Sequence, residues 1–585
     1  MRKQTKLVAV LSASALLAVG ASVTSFAATG WSEENGTWVF YDKNGEKVTE
    51  EWKKSGEYWY WLNEDGEMAV DELIEDDDNY YYVNQNGAMV QNGWRSVENE
   101  DYDGDDEEEP ENYWYYFGAN GRAYKSSANS NNASFKTING KKYIFDDEGK
   151  MLYGWINGDG ERETGDDAWK FGEYYCGDEN DGAQKVGEWA YLDITDDDYD
   201  NDAAGHSSKN VFDDEEQTRW FYFKTNGKKM TDEKGKNIGG RKYSFDEYGR
   251  MNAEWVYYQN TGAAATPTTA TATQGKKDYT TGFRYYGDPE SGARKTKGWF
   301  QVVPDENLHE SKYDDDENAW YYSDKDGKLV ASEIKTIDGK KYVFDGYGRM
   351  HTGLRAVMLE SGSSTRIADD GVKGDDDIDG LHFDTEDAFK ENVSDLYNAG
   401  WRLYYLGGSD DGAVKTGKQT VAIDGDSFTF LFNKSGSSKG QGKFGIDDDR
   451  YYAGGMLMAA DRDDKYSVVK VVTDKASGKY EEIRLMTTEE FLDDEWISSL
   501  PAGGIPAGKE DDYEEYADFT NMTKDGKKVT VDHEEVIDGA RKEVVYRVVN
   551  TAGTVQKSKS KAKDGDDRCY KINGSKQIEA VFVED

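Results

Sequence analysis

Aromatic side chains are the residues of this sequence whose type and spacing could do chemistry. Rings recur two residues apart, as in Trp38 and Phe40 or Tyr143 and Phe145, and 14% of all residues are aromatic. Clustered rings turn the negative faces of their π-systems toward a quaternary ammonium ion, and each desolvated contact is worth up to about 2 kcal/mol. The same faces stack on sugars. Many rings must also form the core, because aliphatic residues are few. The rings therefore predict binding pockets as a class, for ammonium groups or for glycans.

Other reactive residue types lack the spacing that catalysis requires. The five histidines are scattered singly, and neither a His-Glu-x-x-His metal pair nor a Gly-x-Ser-x-Gly elbow occurs. Cys176 and Cys569 lie in no nucleophile motif and are too few for a disulfide framework, although one long-range bridge stays open. Among 117 acidic residues, paired carboxylates carry no information. We expect no enzymatic activity, no catalytic residue, no metal centre and no cofactor.

Charge restricts the partners. The formal net charge of −46 repels phosphate backbones, so nucleic acid is not expected as a partner. Acidic runs such as 99–112 and 193–202 would attract divalent cations weakly, or would form a solvated acidic face. We predict weak divalent binding at most.

Glycine turns between the rings predict β-hairpins. Rings two residues apart lie on one face of a strand, and pairs such as Asn44-Gly45 tolerate the positive φ of a tight turn. Segments 141–155, 241–255 and 340–354 repeat ring, residue, ring, turn glycine and basic-Met almost letter for letter. A lone hairpin is marginal in water, so each must bury its ring face against the next. The predicted fold class is all-β, with tandem β-hairpin repeats stacked as a solenoid, acidic inserted loops and a few short helices toward the C-terminus.

The repeat resembles the cell-wall-binding or choline-binding repeat family, whose units read roughly Gly-Trp, a spacer, Gly-x-Trp-Tyr-Tyr, a turn glycine and x-Met. The resemblance extends from residue 30 to about residue 436. The matching Gly-Trp pairs are Gly30-Trp31, Gly93-Trp94, Gly154-Trp155, Gly298-Trp299 and Gly400-Trp401. The resemblance implies ligand pockets between neighbouring hairpins of a left-handed spiral. It implies ligand-binding roles at the matching positions, which are Trp31, Trp38, Trp52, Trp59 and Trp94, with Met68 and Met89 lining the sides.

Composition divides the chain into five predicted parts. A basic start, an apolar run and a small-x-small cleavage site indicate a secretory signal peptide, and a Thr/Ala-rich interval indicates a linker. The predicted parts are a signal peptide (1–27), a first repeat array (28–260), the linker (261–277), a second array with inserts (278–436) and degenerate repeats or a small β-rich domain (437–585).

Two short helices are expected toward the C-terminus. Phe389, Val393 and Leu396 follow Asp384 at helical spacing. Thr487 and Glu490 form a capping-box pattern before an apolar run.

These features predict a secreted, non-catalytic surface protein of a Gram-positive bacterium. It would attach to the cell wall by binding choline-bearing teichoic acid or other wall glycans, since no transmembrane anchor follows the signal sequence. One alternative is an adhesin or glucan-binding module for host or dietary glycans. A third is a wall hydrolase with an unrecognised catalytic domain in residues 437–585.

Overall fold

The computed structural model describes residues 29–102, 104, 109–126, 132–197, 212, 214–258, 274–375, 377–500 and 516–584. The predicted signal peptide and most of the predicted linker lie outside the described residues. The described part consists mainly of strands in antiparallel hairpins with a few short helices, which confirms the predicted fold class. The chain divides into two compact units, unit 1 (Met1–Asp196 with Trp220–Met230) and unit 2 (Asp197–Arg219 with Thr231–Asp585).

Unit 1 is a succession of hairpins. Its pairs are β1 with β2, β3 with β4, β5 with β6, β7 with β8 and β9 with β10, followed by a three-stranded sheet in the order β12-β11-β13. The elements are β1 (Gly30–Glu34), β2 (Thr37–Tyr41), β3 (Glu51–Ser55), β4 (Tyr58–Leu62), β5 (Glu72–Asp76), β6 (Asn79–Val83), β7 (Gly93–Glu98), β8 (Asn112–Phe117), β9 (Lys136–Ile138), β10 (Lys141–Tyr143), β11 (Gly154–Ile156), β12 (Arg162–Glu163), α1 (Ala168–Phe171), β13 (Tyr174–Cys176) and β14 (Trp189–Thr195). The division between the units falls within β15 (Glu216–Tyr222).

Unit 2 begins with further hairpins. It pairs β16 with β17, β18 with β19, β20 with β21 and β22 with β23, and then forms a sheet in the order β25-β24-β26. The elements are β16 (Glu233–Ile238), β17 (Arg241–Phe245), β18 (Glu254–Tyr257), α2 (Lys277–Thr280), β19 (Phe283–Tyr286), β20 (Gly298–Val302), α3 (Glu310–Asp314), β21 (Ala319–Ser323), β22 (Glu333–Ile337), β23 (Lys340–Phe344), β24 (Leu354–Leu359), β25 (Ile367–Lys373), α4 (Glu386–Asn398) and β26 (Trp401–Tyr405).

Larger sheets follow in unit 2. Their orders are β27-β28-β31-β30-β29, β33-β32-β38-β37 and β34-β41-β40-β39, and β35 pairs with β36. The elements are β27 (Gly417–Ile423), β28 (Asp426–Phe432), β29 (Gly445–Asp447), β30 (Arg450–Ala453), β31 (Met456–Leu457), β32 (Tyr466–Asp474), β33 (Tyr480–Met486), α5 (Thr488–Asp493), α6 (Glu495–Ser498), β34 (Ala517–Asp518), β35 (Thr523–Lys524), β36 (Lys527–Lys528), β37 (His533–Ile537), β38 (Ala540–Asn550), β39 (Lys559–Lys563), β40 (Arg568–Ile572) and β41 (Ile578–Val583). Here aliphatic side chains such as Val468, Val469 and Val548 are fully buried, in contrast to the ring-based core of the hairpins.

Both predicted helices are confirmed. The Thr385 side chain accepts a hydrogen bond from the Ala388 amide at the start of α4, whose buried face contains Phe389 and Val393. At the start of α5, Thr487 and Glu490 form both hydrogen bonds of the predicted capping box. The Glu490 amide donates to the Thr487 side chain, and the Thr487 amide donates to the Glu490 side chain.

The predicted hairpin turn is wrong in one respect. β1 pairs with β2 across Asn35-Gly36, not across Asn44-Gly45. Gly45 does adopt the expected positive φ of 77°, but only one bridge, Tyr41 to Lys47, follows its turn. The segment after each such turn instead bonds to the preceding hairpin. For example, the Met68 amide donates to the Trp38 carbonyl at 2.7 Å.

The turn glycines also make room for the methionines of the preceding repeat. Gly87 has a φ of +73°, and a Cβ built there would lie 2.8 Å from the Met68 sulfur. Only glycine satisfies both the backbone conformation and this close approach. The turns and the methionines therefore stack together.

Candidate ligand-binding boxes between hairpins

A recurring group of four side chains lies at the junction of successive hairpins. We call it a box, and it comprises a tryptophan on the first strand, a second ring on the partner strand, a tyrosine from the next hairpin and the methionine after that hairpin. Box 1 consists of Trp31, Trp38, Tyr60 and Met68. The register pairs Trp31 with Phe40, which places Trp38 on the same hairpin face. The Trp31 and Tyr60 ring centroids are 5.4 Å apart.

Box 2 repeats this arrangement with Trp52, Trp59, Tyr81 and Met89. The Trp52 and Tyr81 centroids are 5.1 Å apart, and the Met89 amide donates to the Trp59 carbonyl at 2.8 Å. The Trp52 indole Nε1 donates to an Asp76 carboxylate oxygen at 3.1 Å, which fixes the ring. Trp59 keeps 38% of its surface exposed and is therefore open to a ligand.

Box 3 consists of Trp94, Trp114, Tyr143 and Met151. The Trp94 and Tyr143 centroids are 4.9 Å apart, and the Met151 amide donates to the Trp114 carbonyl at 2.7 Å. These four side chains belong to one hydrophobic cluster.

Box 4 lies in unit 2 and consists of Trp299, Trp320, Tyr342 and Met350. The Trp299 and Tyr342 centroids are 4.8 Å apart, and the Met350 amide donates to the Trp320 carbonyl at 2.8 Å. Its four positions reproduce those of box 3.

The predicted site residues are thus distributed over three boxes. Trp31, Trp38 and Met68 belong to box 1, Trp52, Trp59 and Met89 to box 2, and Trp94 to box 3. Sequence reasoning missed the tyrosines of boxes 1 and 2, three members of box 3 and all of box 4. A signal was present, because the nearly identical segments 141–155 and 340–354 each carry a tyrosine and a methionine at the box positions.

Residues 48–94, which include box 2, match the family model of the choline-binding repeat. Residues 48–94 of the chain form a choline-binding repeat. No curated protein sequence is significantly similar to it.

The chain is also similar to solved structures of pneumococcal proteins. The modular autolysin LytC of Streptococcus pneumoniae, in complex with a synthetic peptidoglycan ligand, is 19% identical over 57% of this chain, with a TM-score of 0.29. The chain spans 56% of the length of that autolysin. Choline-binding protein F of the same species is 17% identical over 71% of this chain and 98% of its own, with a TM-score of 0.29. The choline-binding domain of CbpL is 21% identical over 41% of this chain and 100% of its own, with a TM-score of 0.24.

One hairpin repeat lacks a box. In the third hairpin Leu73 stands where the first tryptophan would be, opposite Tyr82. Ala123 stands at the methionine position, and its amide donates to the Tyr80 carbonyl at 2.8 Å. Leu73 and Ala123 instead pack against the hydrophobic cluster that contains Tyr115.

Another hairpin repeat holds a cation of the chain itself. Lys229 occupies the methionine position, and its amide donates to the Glu173 carbonyl at 2.6 Å. Its side chain is buried, and its ammonium lies 5.0 Å from the Trp155 ring and 5.9 Å from the Phe221 ring. The ammonium also donates a hydrogen bond to the Trp169 carbonyl. We call this group the lysine box.

Two turn carboxyls beside the boxes have opposite pKa shifts. Burial raises the pKa of Asp146, in the turn before Met151, to about 6. Burial also acts to raise the pKa of Asp345, before Met350, but the Arg349 guanidinium and the hydrogen bond from His351 outweigh burial and hold this pKa well below its usual range. Asp345 is therefore ionised at neutral pH.

The described residues contain neither a metal-binding group of side chains nor a membrane-spanning helix. Within those ranges, no group of three or more His, Cys, Asp or Glu side chains is arranged to hold a metal ion. The acidic runs 99–112 and 193–202 lie partly outside them, so weak divalent binding stays a prediction. In the described part of the chain, no helix is long and apolar enough to cross a membrane.

Proposed function

We propose that this protein is secreted and non-catalytic, and that it attaches to the bacterial envelope by binding choline-bearing wall polymers in boxes 1 to 4. The observation that carries the proposal is the fourfold recurrence of two tryptophans, a tyrosine and a methionine at equivalent positions. Three rings around one ammonium ion present several negative faces to it, each worth up to about 2 kcal/mol when desolvated.

The lysine box supports the choice of a cation over a neutral sugar. At the position equivalent to the boxes, the chain packs an ammonium ion of its own against two rings. The fold therefore accommodates a desolvated cation at this point of the repeat.

Several boxes on one chain suit a polymeric ligand. Each box alone offers a small binding surface, and the wall presents many choline groups on one polymer. Linked sites raise the overall affinity by about 100-fold to 10,000-fold when the geometry permits simultaneous binding. Attachment would thus be firm although each box exchanges free choline rapidly.

Equilibrium dialysis with labelled choline tests the proposal on the full chain. We expect four sites in the wild type and three after Trp59→Ala, because box 2 loses its exposed ring. Tyr58→Ala is the matched control, since Tyr58 is 51% exposed on the same strand but points to the opposite face. This control should keep four sites.

Binding to purified choline-bearing walls, and elution by free choline, complete the test. Binding to glucans or host glycans without any binding of choline would refute the proposal and favour the adhesin alternative. Release of soluble wall fragments by the purified chain would contradict the non-catalytic part of the proposal.

A further inference from the structure

A cavity of about 490 Å³ lies against box 4. Trp320 and Met350 of the box line it, and it continues to Lys312, Arg349 and Arg355. Its volume lies within the range of about 300–1,000 Å³ that is typical of small-molecule sites. Box 4 therefore opens into a space that can hold more than the ammonium headgroup.

Cations reach this cavity from several elements, and most of them are already paired. The Lys312 ammonium lies 2.7 Å from a Glu317 carboxylate oxygen, and the Arg349 guanidinium lies 2.8 Å from Asp345. Arg355 donates to its neighbouring Leu354 carbonyl at 2.9 Å. None of the carboxylates in the described ranges lies within ion-pairing distance of Arg355. Arg355 is thus the cavity cation whose charge is available to a ligand.

Acidic groups also border the cavity. Glu317 and Asp410 are among its lining residues, and Glu317 is engaged by Lys312. Asp410 is exposed to solvent, which screens its repulsion of a bound anion. His351 also lines the cavity, and its Nε2 donates a hydrogen bond to an Asp345 carboxylate oxygen at 3.0 Å.

Box 3 provides a natural comparison within the same chain. Its segment aligns with that of box 4, but Leu152 stands in place of His351 and Ile156 in place of Arg355. Ile156 is fully buried. The polar extension therefore belongs to box 4 and not to the shared pattern of rings.

On the basis of the proposed function, we propose that box 4 binds a phosphocholine group, with the quaternary ammonium in the box and the phosphate at Arg355. An arginine guanidinium suits phosphate because its planar fork donates two parallel hydrogen bonds. Box 3 binds the ammonium group without contacting the phosphate. The chain therefore contains sites of two specificities.

Fluorine NMR of the full chain labelled with 5-fluorotryptophan tests this assignment site by site. The Trp320 and Trp114 resonances are assigned by Trp320→Phe and Trp114→Phe, and the labelled chain is titrated with choline, phosphocholine and glycine betaine. At Trp320 we expect phosphocholine to bind about fivefold to tenfold more tightly than choline, as for a partly exposed charge-assisted contact. At Trp114 the two affinities should agree within about twofold.

Two variants separate the role of Arg355 from general charge effects. Arg355→Gln should abolish the preference for phosphocholine over choline at Trp320. The choline affinity at Trp320 should stay unchanged, and this unchanged affinity shows that box 4 is still folded. Arg355→Lys should retain part of the preference. Arg95→Gln is the matched control. The Arg95 guanidinium donates a hydrogen bond to the carbonyl oxygen of the preceding residue, Trp94, at 2.6 Å, as Arg355 does to Leu354, but Arg95 does not line the cavity.

The possible results distinguish this inference from the proposed function. Equal affinities at Trp320, a preference that survives Arg355→Gln, or the same preference at Trp114 would overturn the phosphate site while leaving choline binding intact. Glycine betaine binding as tightly as phosphocholine would overturn the choice of phosphate. If choline perturbs neither resonance, the proposed function itself fails.

Discussion

Replacing Lys229 by alanine should destabilise unit 1, because this side chain fills the lysine box. Truncation removes three methylene groups of a buried stem, which contribute about 0.8 kcal/mol each. It also removes the ammonium from two aromatic faces and from the Trp169 carbonyl. Recovery of the ammonium hydration offsets part of that second loss. The expected net loss is about 2–4 kcal/mol, in the range of large-to-small core substitutions.

Two other lysine substitutions separate the contributions. Lys229→Met keeps an unbranched stem at a position where five other repeats carry methionine, so its cost should be about 1 kcal/mol. Lys228→Ala is the matched control, since the Lys228 side chain is 47% exposed and its ammonium contacts Glu173 and the Tyr174 ring at the surface. Its loss should stay below about 1 kcal/mol.

Hydrogen exchange measured by mass spectrometry gives the local free energy of opening, which suits a chain of two units better than a global unfolding curve. Peptides covering Trp155 and Phe221 should lose protection in Lys229→Ala and keep it in Lys228→Ala. Equal protection in all three variants would show that the ammonium does not stabilise the lysine box. The lysine box would then no longer support cation binding in boxes 1 to 4.

Two further predictions concern turns and thiols. Asp146→Asn should stabilise unit 1 above pH 6 and have little effect near pH 4. Burial raises the pKa of Asp146 to about 6, so the contribution of this side chain to the free energy of unfolding falls as the pH rises through that value. Asp42→Asn is the control, because Asp42 lies in the equivalent exposed turn and the hydrogen bond from the Glu46 amide lowers its pKa. This variant should not stabilise the protein at any pH. Urea unfolding of both variants at pH 4 and above pH 6 measures these effects. Cys176 and Cys569 are free and buried, and burial raises the pKa of the Cys176 thiol to about 12. Iodoacetamide at pH 8 should therefore label neither thiol before unfolding, and rapid labelling of the native chain would refute this.

The sequence by itself determined the local conformations. Alternating rings predicted the strands, Asn-Gly and Asp-Gly pairs predicted turn glycines with positive φ, and the capping box at Thr487 predicted the start of α5. Each of these depends on residues a few positions apart, so the local pattern carries the information. The tryptophan positions of boxes 1 and 2 followed from the resemblance to the choline-binding repeat family.

Tertiary structure alone decided which segments meet. Both Asn35-Gly36 and Asn44-Gly45 suit a hairpin turn. The structure pairs β1 with β2 across Asn35-Gly36, and Met68 bonds to this hairpin from the following repeat. Each box brings together two strands, the following hairpin and its turn. A local sequence pattern therefore does not show whether the last side chain borders an open pocket, as the methionines do, or fills it, as Lys229 does. The opening of box 4 toward Arg355 likewise depends on how separate loops pack, because a cavity is a property of the space that they leave between them.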